Sequence, residues 1–216
     1  MTDLIDPAAA SYAEAHTTPP AGALAEVAAH TREHTAAPQM MSGVPEARLL
    51  EALIVAGGAR NVLEIGTFTG FGALAMAAAL PEGGRVTTLE VDEDTAAAAL
   101  RHMTASPHAE RIELIVGDAL TSLAMLDGPF DLVYIDAWKS DYPAYYDAVV
   151  PKLAPRGVIV ADNLFRAGMA LDPAADDASS VGIREFAARV QADERVHNVL
   201  LSVGDGLMLA WHAPAT

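Results

Sequence analysis

Cysteine is absent from this 216-residue chain, and basic residues are scarce. Without cysteine there can be no disulfide, no thiolate metal site and no cysteine nucleophile. The 13 lysines and arginines are outnumbered by 29 aspartates and glutamates, which gives a formal net charge of −16. Nucleic acids and anionic membrane surfaces are bound by clustered Lys and Arg. The composition therefore argues against both as partners.

Long hydrophobic runs are also lacking. The longest apolar stretch, the Ala-rich segment 71–80, is shorter than the roughly 18 residues that a membrane-spanning helix needs. The first residues carry neither the basic nor the apolar region of a signal peptide. We therefore expect a cytoplasmic protein without a membrane partner.

The chain does contain a regular alternation of short apolar segments and longer helical ones, over a length that suits one domain, 1–216. Strands are predicted at 61–65, 85–91, 111–116, 130–135 and 157–161, and helices at 46–56, 70–80, 94–105, 119–126, 142–153 and 181–193. This α/β alternation is typical of a parallel sheet. Two last strands, at 196–203 and 206–211, form a hairpin and add an antiparallel strand. Residues 1–40 are predicted to be helical, and 166–180 to be a surface loop.

Acids and one amide stand at the ends of the five predicted parallel strands. They are Glu64, Glu90, Asp118, Asp136 and the pair Asp162-Asn163. Because the carboxyl ends of parallel strands meet at one edge of the sheet, where ligands bind, we expect these side chains to line one rim.

The first strand leads into a glycine-rich loop. Its spacing, Gly66-x-x-x-Gly70-x-Gly72, differs from the G-x-G-x-x-G fingerprint of dinucleotide-binding proteins. Glu64 places a carboxylate in the same crevice, which repels phosphate and attracts an ammonium or sulfonium group. Glu90 ends the second strand, where such folds hold ribose hydroxyls; an exposed acid at a strand end is the alternative.

Asp136, Asp162 and Asn163 form an all-oxygen set suited to a hard divalent cation such as Mg²⁺. Capping of the following helices is the alternative role. Lys139 lies three residues after Asp136 and is one of only two lysines, with Lys152. Beside a cation in a partly dry cleft it is suited to act as a general base; a solvated loop lysine is the alternative.

With these residues the sequence resembles a family, the class I S-adenosylmethionine (SAM)-dependent, divalent-cation-dependent O-methyltransferases of the catechol and caffeoyl-CoA type. The resemblance covers residues 40–211 and depends on five motifs in order: LEIGTFTGFGALAMAAALP, GDAL, FDLVYIDAWKSDY, LAPRGVIVADN and GDGLML. It implies a Rossmann-like three-layer sandwich with a seven-stranded, mostly parallel sheet whose last strand is antiparallel. It also implies that residues 1–44 form a helical segment that covers the acceptor site and pairs with a second copy in a homodimer.

The resemblance implies a role for each matching residue. The metal ligands would be Asp136, Asp162 and Asn163, holding Mg²⁺ or another divalent cation such as Mn²⁺ or Ca²⁺. SAM would contact Met41, Ser42, Glu64, Gly66, Thr67, Phe68, Gly72, Glu90, Val91, Asp118, Ala119 and Asp136. A small hydroxylated aromatic acceptor would contact Met40, Trp138, Lys139, Tyr145 and Asn163. Lys139 would remove the proton from the acceptor hydroxyl next to Asp136, and the oxyanion would attack the sulfonium methyl group.

Two positions depart from the family pattern. Gly72 stands where members commonly carry a serine that contacts the cofactor. Trp138 stands where plant caffeoyl-CoA enzymes usually have an acid, whereas animal catechol enzymes also have tryptophan. The ring is suited to stack on a small aromatic acceptor; packing against the helix 142–153 is the alternative.

Three alternatives remain at the level of the sequence. His30 and His34 lie four residues apart on a predicted helix, a spacing that zinc sites use, although a solvated face is the simpler interpretation. A nicotinamide-dependent oxidoreductase fits the fold class, but the chain lacks the dinucleotide glycine spacing and a Tyr-x-x-x-Lys pair. A non-catalytic SAM-binding module is the third alternative, but it would not need the set Asp136, Lys139, Asp162 and Asn163.

Overall fold

Seven strands form one sheet in the computed structural model, which describes residues 6–214. They are β1 Asn61–Ile65, β2 Arg85–Glu90, β3 Ile112–Val116, β4 Phe130–Ile135, β5 Leu153–Ala161, β6 Val196–Leu201 and β7 Leu207–His212. Their order across the sheet is β3-β2-β1-β4-β5-β7-β6. All neighbouring pairs are parallel except those of β7, which is antiparallel to both β5 and β6. The predicted mostly parallel sheet with an antiparallel last strand is therefore confirmed, with β7 one place in from the edge.

Helices cover both faces of the sheet. They are α1 Pro7–Ala15, α2 Ala23–His34, α3 Val44–Gly57, α4 Phe71–Ala79, α5 Glu93–Ala105, α6 Ala119–Met125, α7 Tyr142–Val149 and α8 Ala178–Ala192. Alternate strand residues point to opposite faces. Val62 and Leu132 therefore pack with α2, α3, α4 and α5, whereas Leu63 and Val133 pack with α6, α7 and α8. Two hydrophobic cores separated by the sheet produce the predicted three-layer arrangement.

The N-terminal segment is helical, as predicted, but its two helices differ in how they are held. No residue of α1 is buried, whereas α2 buries Val27, Ala28 and Thr31. Residues 1–5, on which the prediction of no signal peptide was based, lie outside the described residues. Within 6–214, no helix is both long enough and apolar enough to cross a membrane.

The start of β5 corrects the sequence prediction. The pattern predicts a helix that continues to residue 153 and a strand that begins at 157, but α7 ends earlier and β5 begins at Leu153. Pro151 cannot donate the hydrogen bond that a continuing helix needs, and 150–152 form a single 3-10 turn. A register shift between β4 and β5, at Phe130 and Leu132, accommodates the additional residues of β5.

Gly66 brings the ends of β1 and β4 into contact. Its N–H donates to the carbonyl of Leu89 on the neighbouring strand β2 at 3.0 Å. On the other side of β1, the N–H of Asp136, which follows β4, donates to the Ile65 carbonyl at 2.9 Å. Gly66 has a φ of +99°, and a Cβ at this position would lie 2.0 Å from the carbonyl oxygen of Asp136. A side chain would therefore meet both an unfavourable backbone conformation and a backbone atom that cannot easily move.

We predict that Gly66→Ala lowers the free energy of unfolding by at least about 2 kcal/mol, because the backbone must change conformation or displace Asp136. Gly57→Ala is the matched control, since Gly57 ends α3 and a Cβ there would meet no atom within 4 Å. Urea unfolding of both variants and the wild type measures the difference. Equal stability of the two variants would contradict the close contact.

Candidate active site

Asp162 follows β5 and is 4% exposed, with both carboxylate oxygens engaged. The Tyr134 hydroxyl donates to Oδ2 at 2.9 Å, and the Asn163 N–H donates to Oδ1 at 2.6 Å. Ser42 Oγ lies 3.2 Å from the same Tyr134 hydroxyl, which connects the segment before α3 to this site. Burial and, next, the charge of Asp136 raise the pKa of the Asp162 carboxyl. This carboxylate therefore lies in a place where a cation would stabilise its charge.

Lys139 lies beside Asp136 at the end of β4. Its Nζ is 2.7 Å from Asp136 Oδ1 and donates to the Tyr142 hydroxyl at 2.9 Å. The Tyr142 hydroxyl lies 3.1 Å from the carbonyl oxygens of both Ile135 and Asp162, so it can donate to either of them. Burial raises the pKa of this phenol well above its usual value, which keeps it protonated. Tyr142 thus holds Lys139 between the ends of β4 and β5.

Glu64 is a buried acid on β1, 1% exposed, at the start of a chain of hydroxyl groups. Thr88 Oγ1 donates to Glu64 Oε2 at 2.5 Å, and Thr67 Oγ1 lies 2.5 Å from Thr88 Oγ1. Burial raises the pKa of Glu64 to about 8; the hydrogen bond from Thr88 opposes this shift, and the charges of Asp136 and Glu90 add to it. At neutral pH the side chain is therefore largely protonated until a cation approaches.

Gly72 gives the Glu64 carboxylate its space. A Cβ on Gly72 would lie 2.3 Å from Glu64 Oε1. The serine that the family pattern has at this position would have to displace the carboxylate. The glycine at position 72 thus has a physical consequence, because it lets the Glu64 side chain lie against the first turn of α4.

Glu90 is held by backbone donors on both sides of the crevice. Its Oε2 accepts the Phe68 N–H at 2.8 Å, and its Oε1 accepts the N–H groups of Val91 and Asp92 at 2.9 and 3.1 Å. Phe68 has a φ of +49°, so this bond joins a constrained loop residue to the end of β2. The carboxylate is therefore oriented by the loop, whatever it binds.

Asp118 caps α6. Its Oδ1 accepts the Thr121 N–H at 2.8 Å and the Thr121 hydroxyl at 2.7 Å, and these bonds lower the pKa of the carboxyl. Ala119 begins the helix, half-buried, and Val91 at the end of β2 is exposed. Helix capping, the alternative given above for Asp136, Asp162 and Asn163, is thus the role of Asp118, whereas the carboxylates of Asp136 and Asp162 bind Lys139 and the Asn163 N–H.

The residues predicted to contact the acceptor differ in how much of each side chain is exposed. Met40 and Trp138 are 60% and 67% exposed, so the tryptophan is not buried against α7. Met41 is half-buried and packs on the core shared with α3 and α4. Tyr145 is 3% exposed and lies within the core formed by α6, α7 and α8, rather than on an open surface. Its role toward an acceptor stays a prediction.

The histidine pair does not form a metal site. The rings of His30 and His34 stack with centroids 4.4 Å apart, and His102 meets His30 edge-on at 4.7 Å. Stacked rings turn their faces, rather than nitrogen lone pairs, toward each other. Within residues 6–214, no group of three His, Cys, Asp or Glu side chains is arranged to hold a metal ion.

Sequence reasoning missed Tyr134, Tyr142 and Thr88. Each is buried and matches the pattern of an ordinary core residue. A signal was present in the spacing, since Tyr134 precedes Asp136 by two strand positions and Tyr142 follows Lys139 by three. Both spacings bring a hydroxyl to the same side as the acid or the lysine.

Comparison with known proteins gives concordant matches. A family model described as O-methyltransferase matches residues 14–213. The chain is 32% identical over 174 residues to a catechol O-methyltransferase of Niastella koreensis, covering 76% of this chain and 79% of that protein. It is 31% identical over 185 residues to tricin synthase 1 of Oryza sativa, covering 79% and 73%.

Solved structures match over nearly the whole chain. An O-methyltransferase from Bacillus cereus in complex with SAH has a TM-score of 0.88 and 32% identity, covering 95% of this chain and 97% of that one. TomG from Streptomyces achromogenes, an O-methyltransferase involved in tomaymycin synthesis and solved with SAM, has a TM-score of 0.88 and 30% identity, covering 96% of each chain.

The buried Glu64 generates a testable pH dependence. The folded protein keeps the Glu64 proton between about pH 4.5 and 8, where the unfolded chain has released it, so this group's contribution to stability falls as pH rises. We predict that Glu64→Gln removes this decline, so that its stability relative to wild type increases by up to about 1.4 kcal/mol per pH unit in that range. Urea unfolding at several pH values measures it.

Glu113→Gln serves as the control, because Glu113 is an exposed acid on the edge strand β3. Its stability is expected to follow the wild-type pH profile. The account of Glu64 would be wrong if the stability difference between Glu64→Gln and wild type were the same at pH 5 and pH 8.

Proposed function

The chain belongs to the O-methyltransferase family, as a SAM-dependent O-methyltransferase of the catechol and caffeoyl-CoA type, and from this premise we propose how it selects and activates its acceptor. The acceptor is a small aromatic compound with two vicinal hydroxyl groups. A divalent cation, Mg²⁺ in first place and Mn²⁺ or Ca²⁺ as alternatives, assists the transfer, and Lys139 is the general base. Family membership sets aside the nicotinamide-dependent reductase.

The observation that carries the proposal is a contact between two parts of the rim: the glycine loop after β1, and the loop after β4 that begins with Asp136. The Gly66 backbone lies directly against the carbonyl of Asp136, so the glycine loop after β1 adjoins the acids after β4 and β5. A methyl donor held by the first part is thereby brought next to an acceptor held by the second. Such positioning of two reactants makes a large contribution to the rate of a bimolecular transfer.

Asp136, Asp162 and Asn163 would hold the cation. Their donor atoms are carboxylate and amide oxygens, which suit a hard divalent ion, and the burial of Asp162 beside Asp136 leaves negative charge that a cation would neutralise. A cation bound there supplies Lewis acidity that lowers the pKa of the acceptor hydroxyl. With three protein ligands, such a cation would keep open coordination positions for the two oxygens of a vicinal diol.

Lys139 is the proposed acceptor for the proton of the acceptor's hydroxyl group. While the Asp136 carboxylate is its partner, the Nζ ammonium is stabilised by that charge and by the Tyr142 hydroxyl. When the Asp136 carboxylate instead serves as a ligand of the cation, the ammonium would release a proton to solvent, and the resulting neutral amine would accept the proton of the acceptor hydroxyl. Tyr142 keeps Nζ in place during this exchange, because its own hydroxyl is anchored to backbone carbonyls.

Glu64 and Glu90 would hold the methyl donor. Glu64 places a buried carboxylate where the ammonium and sulfonium charges of SAM would be stabilised. Glu90 already accepts three backbone N–H groups, and a carboxylate has about four lone-pair sites, so one ribose hydroxyl can be added without rearrangement. Val91, Asp118 and Ala119 border the adenine side in this proposal.

Met40 and Trp138 offer the acceptor an apolar surface. Both side chains are largely exposed, and an aromatic ring stacked on the indole would cover part of that area. We further propose that α1, which buries none of its residues within the chain, packs on a second copy to form a homodimer. A cytoplasmic location stays a prediction.

We predict that Asp162→Ala loses about 100-fold or more of Mg²⁺-dependent methyl transfer from labelled SAM to a catechol, because it removes a ligand and the charge that retains the cation. Chelation of divalent ions with EDTA should abolish wild-type transfer, and added Mg²⁺ should restore it. Binding of SAM, measured by calorimetry, should remain in the variant.

Glu185→Ala is the control, because Glu185 is an exposed acid on α8. It should transfer methyl groups at the wild-type rate. Full Mg²⁺-dependent activity in Asp162→Ala would show that the metal assignment is wrong.

A further inference from the structure

The segment 163–167 follows β5 and begins with Asn163. Three of its residues have left-handed backbone conformations, with φ of +59° at Asn163, +50° at Arg166 and +51° at Ala167. Residues with a Cβ are disfavoured in this region. The segment therefore needs contacts from elsewhere in the fold to hold its shape.

Those contacts come from the turn between β6 and β7. The Leu164 N–H donates to the Gly206 carbonyl at 3.0 Å, and the Phe165 N–H donates to the Asp205 carbonyl at 2.8 Å. The Ala167 N–H donates to the side-chain Oδ1 of Asp205 at 2.8 Å. Among residues 6–214, two side chains outside the segment accept a hydrogen bond from its backbone: Asp162 accepts the Asn163 N–H, and Asp205 accepts the Ala167 N–H.

The turn is shaped to lie against the segment. Gly206 has a φ of +90°, and a Cβ there would lie 2.8 Å from the ring of Phe165. The antiparallel pairing of β5 with β7 places Ala161 opposite Met208, so the residue that follows β5 and the residue that precedes β7 meet at the same edge. The sheet register therefore delivers Asp205 to the segment that carries Asn163.

We propose that Asp205 is a positioning residue: by accepting the Ala167 N–H it fixes the segment 163–167 and holds the Asn163 amide oxygen where the cation binds. The inference depends on the proposed function, in which Asn163 is a metal ligand. Asp205 touches neither the cation nor the reacting atoms in this role. Its loss weakens cation binding and leaves SAM binding, which depends on the ends of β1 and β2, unchanged.

The test is a titration of the full-length protein with Mn²⁺, followed by electron paramagnetic resonance without acceptor. Asp205→Ala is expected to raise the Mn²⁺ dissociation constant about 10-fold or more, the range seen when an orienting partner of a metal ligand is lost. Asp205→Asn keeps an acceptor oxygen for the Ala167 N–H and is expected to bind Mn²⁺ like the wild type. Limited trypsin digestion gives a second readout, since Asp205→Ala should be cut faster after Arg166 and Asp205→Asn should not.

Asp172→Ala is the matched control. Its Oδ1 also accepts a backbone N–H, that of Ala174, at 2.8 Å, but it lies beyond the segment 163–167. It is expected to change neither the Mn²⁺ affinity nor the cleavage after Arg166. Calorimetry with SAM checks that every variant retains its cofactor affinity.

Wild-type Mn²⁺ affinity in Asp205→Ala would overturn the inference. Equal weakening in Asp205→Ala and Asp205→Asn would also overturn it, because the charge rather than the hydrogen bond would then be responsible. Loss of SAM binding in Asp205→Ala would reveal a general structural role instead. If the wild type itself failed to bind Mn²⁺, the proposed metal dependence would be refuted, and the inference with it. That result differs from the others because it does not involve a difference between variants.

Discussion

The contact between Gly66 and the carbonyl of Asp136 is the constraint on which the site depends. It occurs where β1 is flanked by β2 on one side and β4 on the other, the point at which the order of the strands reverses. In such sheets the crevice at this point is open to a ligand. Because Gly66 has no side chain, the loop that would hold the methyl donor and the acids that would hold the cation are neighbours, separated by a single backbone contact.

The rim brings several acidic side chains together at the ends of the strands. Glu64 and Asp162 are both buried, and the charge of Asp136 raises the pKa of each of them. Such a site favours cations, since an opposite charge offsets the cost of ionising a buried acid. A sulfonium donor, a divalent ion and the Lys139 ammonium all meet that requirement. In the proposed function, part of the acidic surplus of the sequence serves at the rim, and the rest is distributed over the chain.

The sequence was sufficient to predict the sheet and the rim, because parallel strands align their ends and each end carried an acid or an amide. It did not by itself identify Tyr134 and Tyr142 as the partners of Asp162 and Lys139. Their spacing places the hydroxyls on the correct side, but buried tyrosines on a strand and a helix also match the pattern of core residues. The sequence also could not predict that Asp205 binds the segment 163–167. Asp205 and Ala167 are 38 positions apart, and they meet because β7 pairs antiparallel with β5. Contacts of this kind depend on the pairing of β5 with β7, two strands that α8 and β6 separate in the sequence.

In the proposed function, one rim of the sheet holds both the methyl donor and the cation. The most direct measurement is the nuclear relaxation of SAM labelled with ¹³C at its methyl group, bound to the protein and titrated with Mn²⁺ as a paramagnetic probe. We expect a strong, saturable enhancement of methyl relaxation that excess Mg²⁺ reverses and that Asp162→Ala abolishes. Tight binding of both SAM and Mn²⁺ without any enhancement at the methyl group would contradict it.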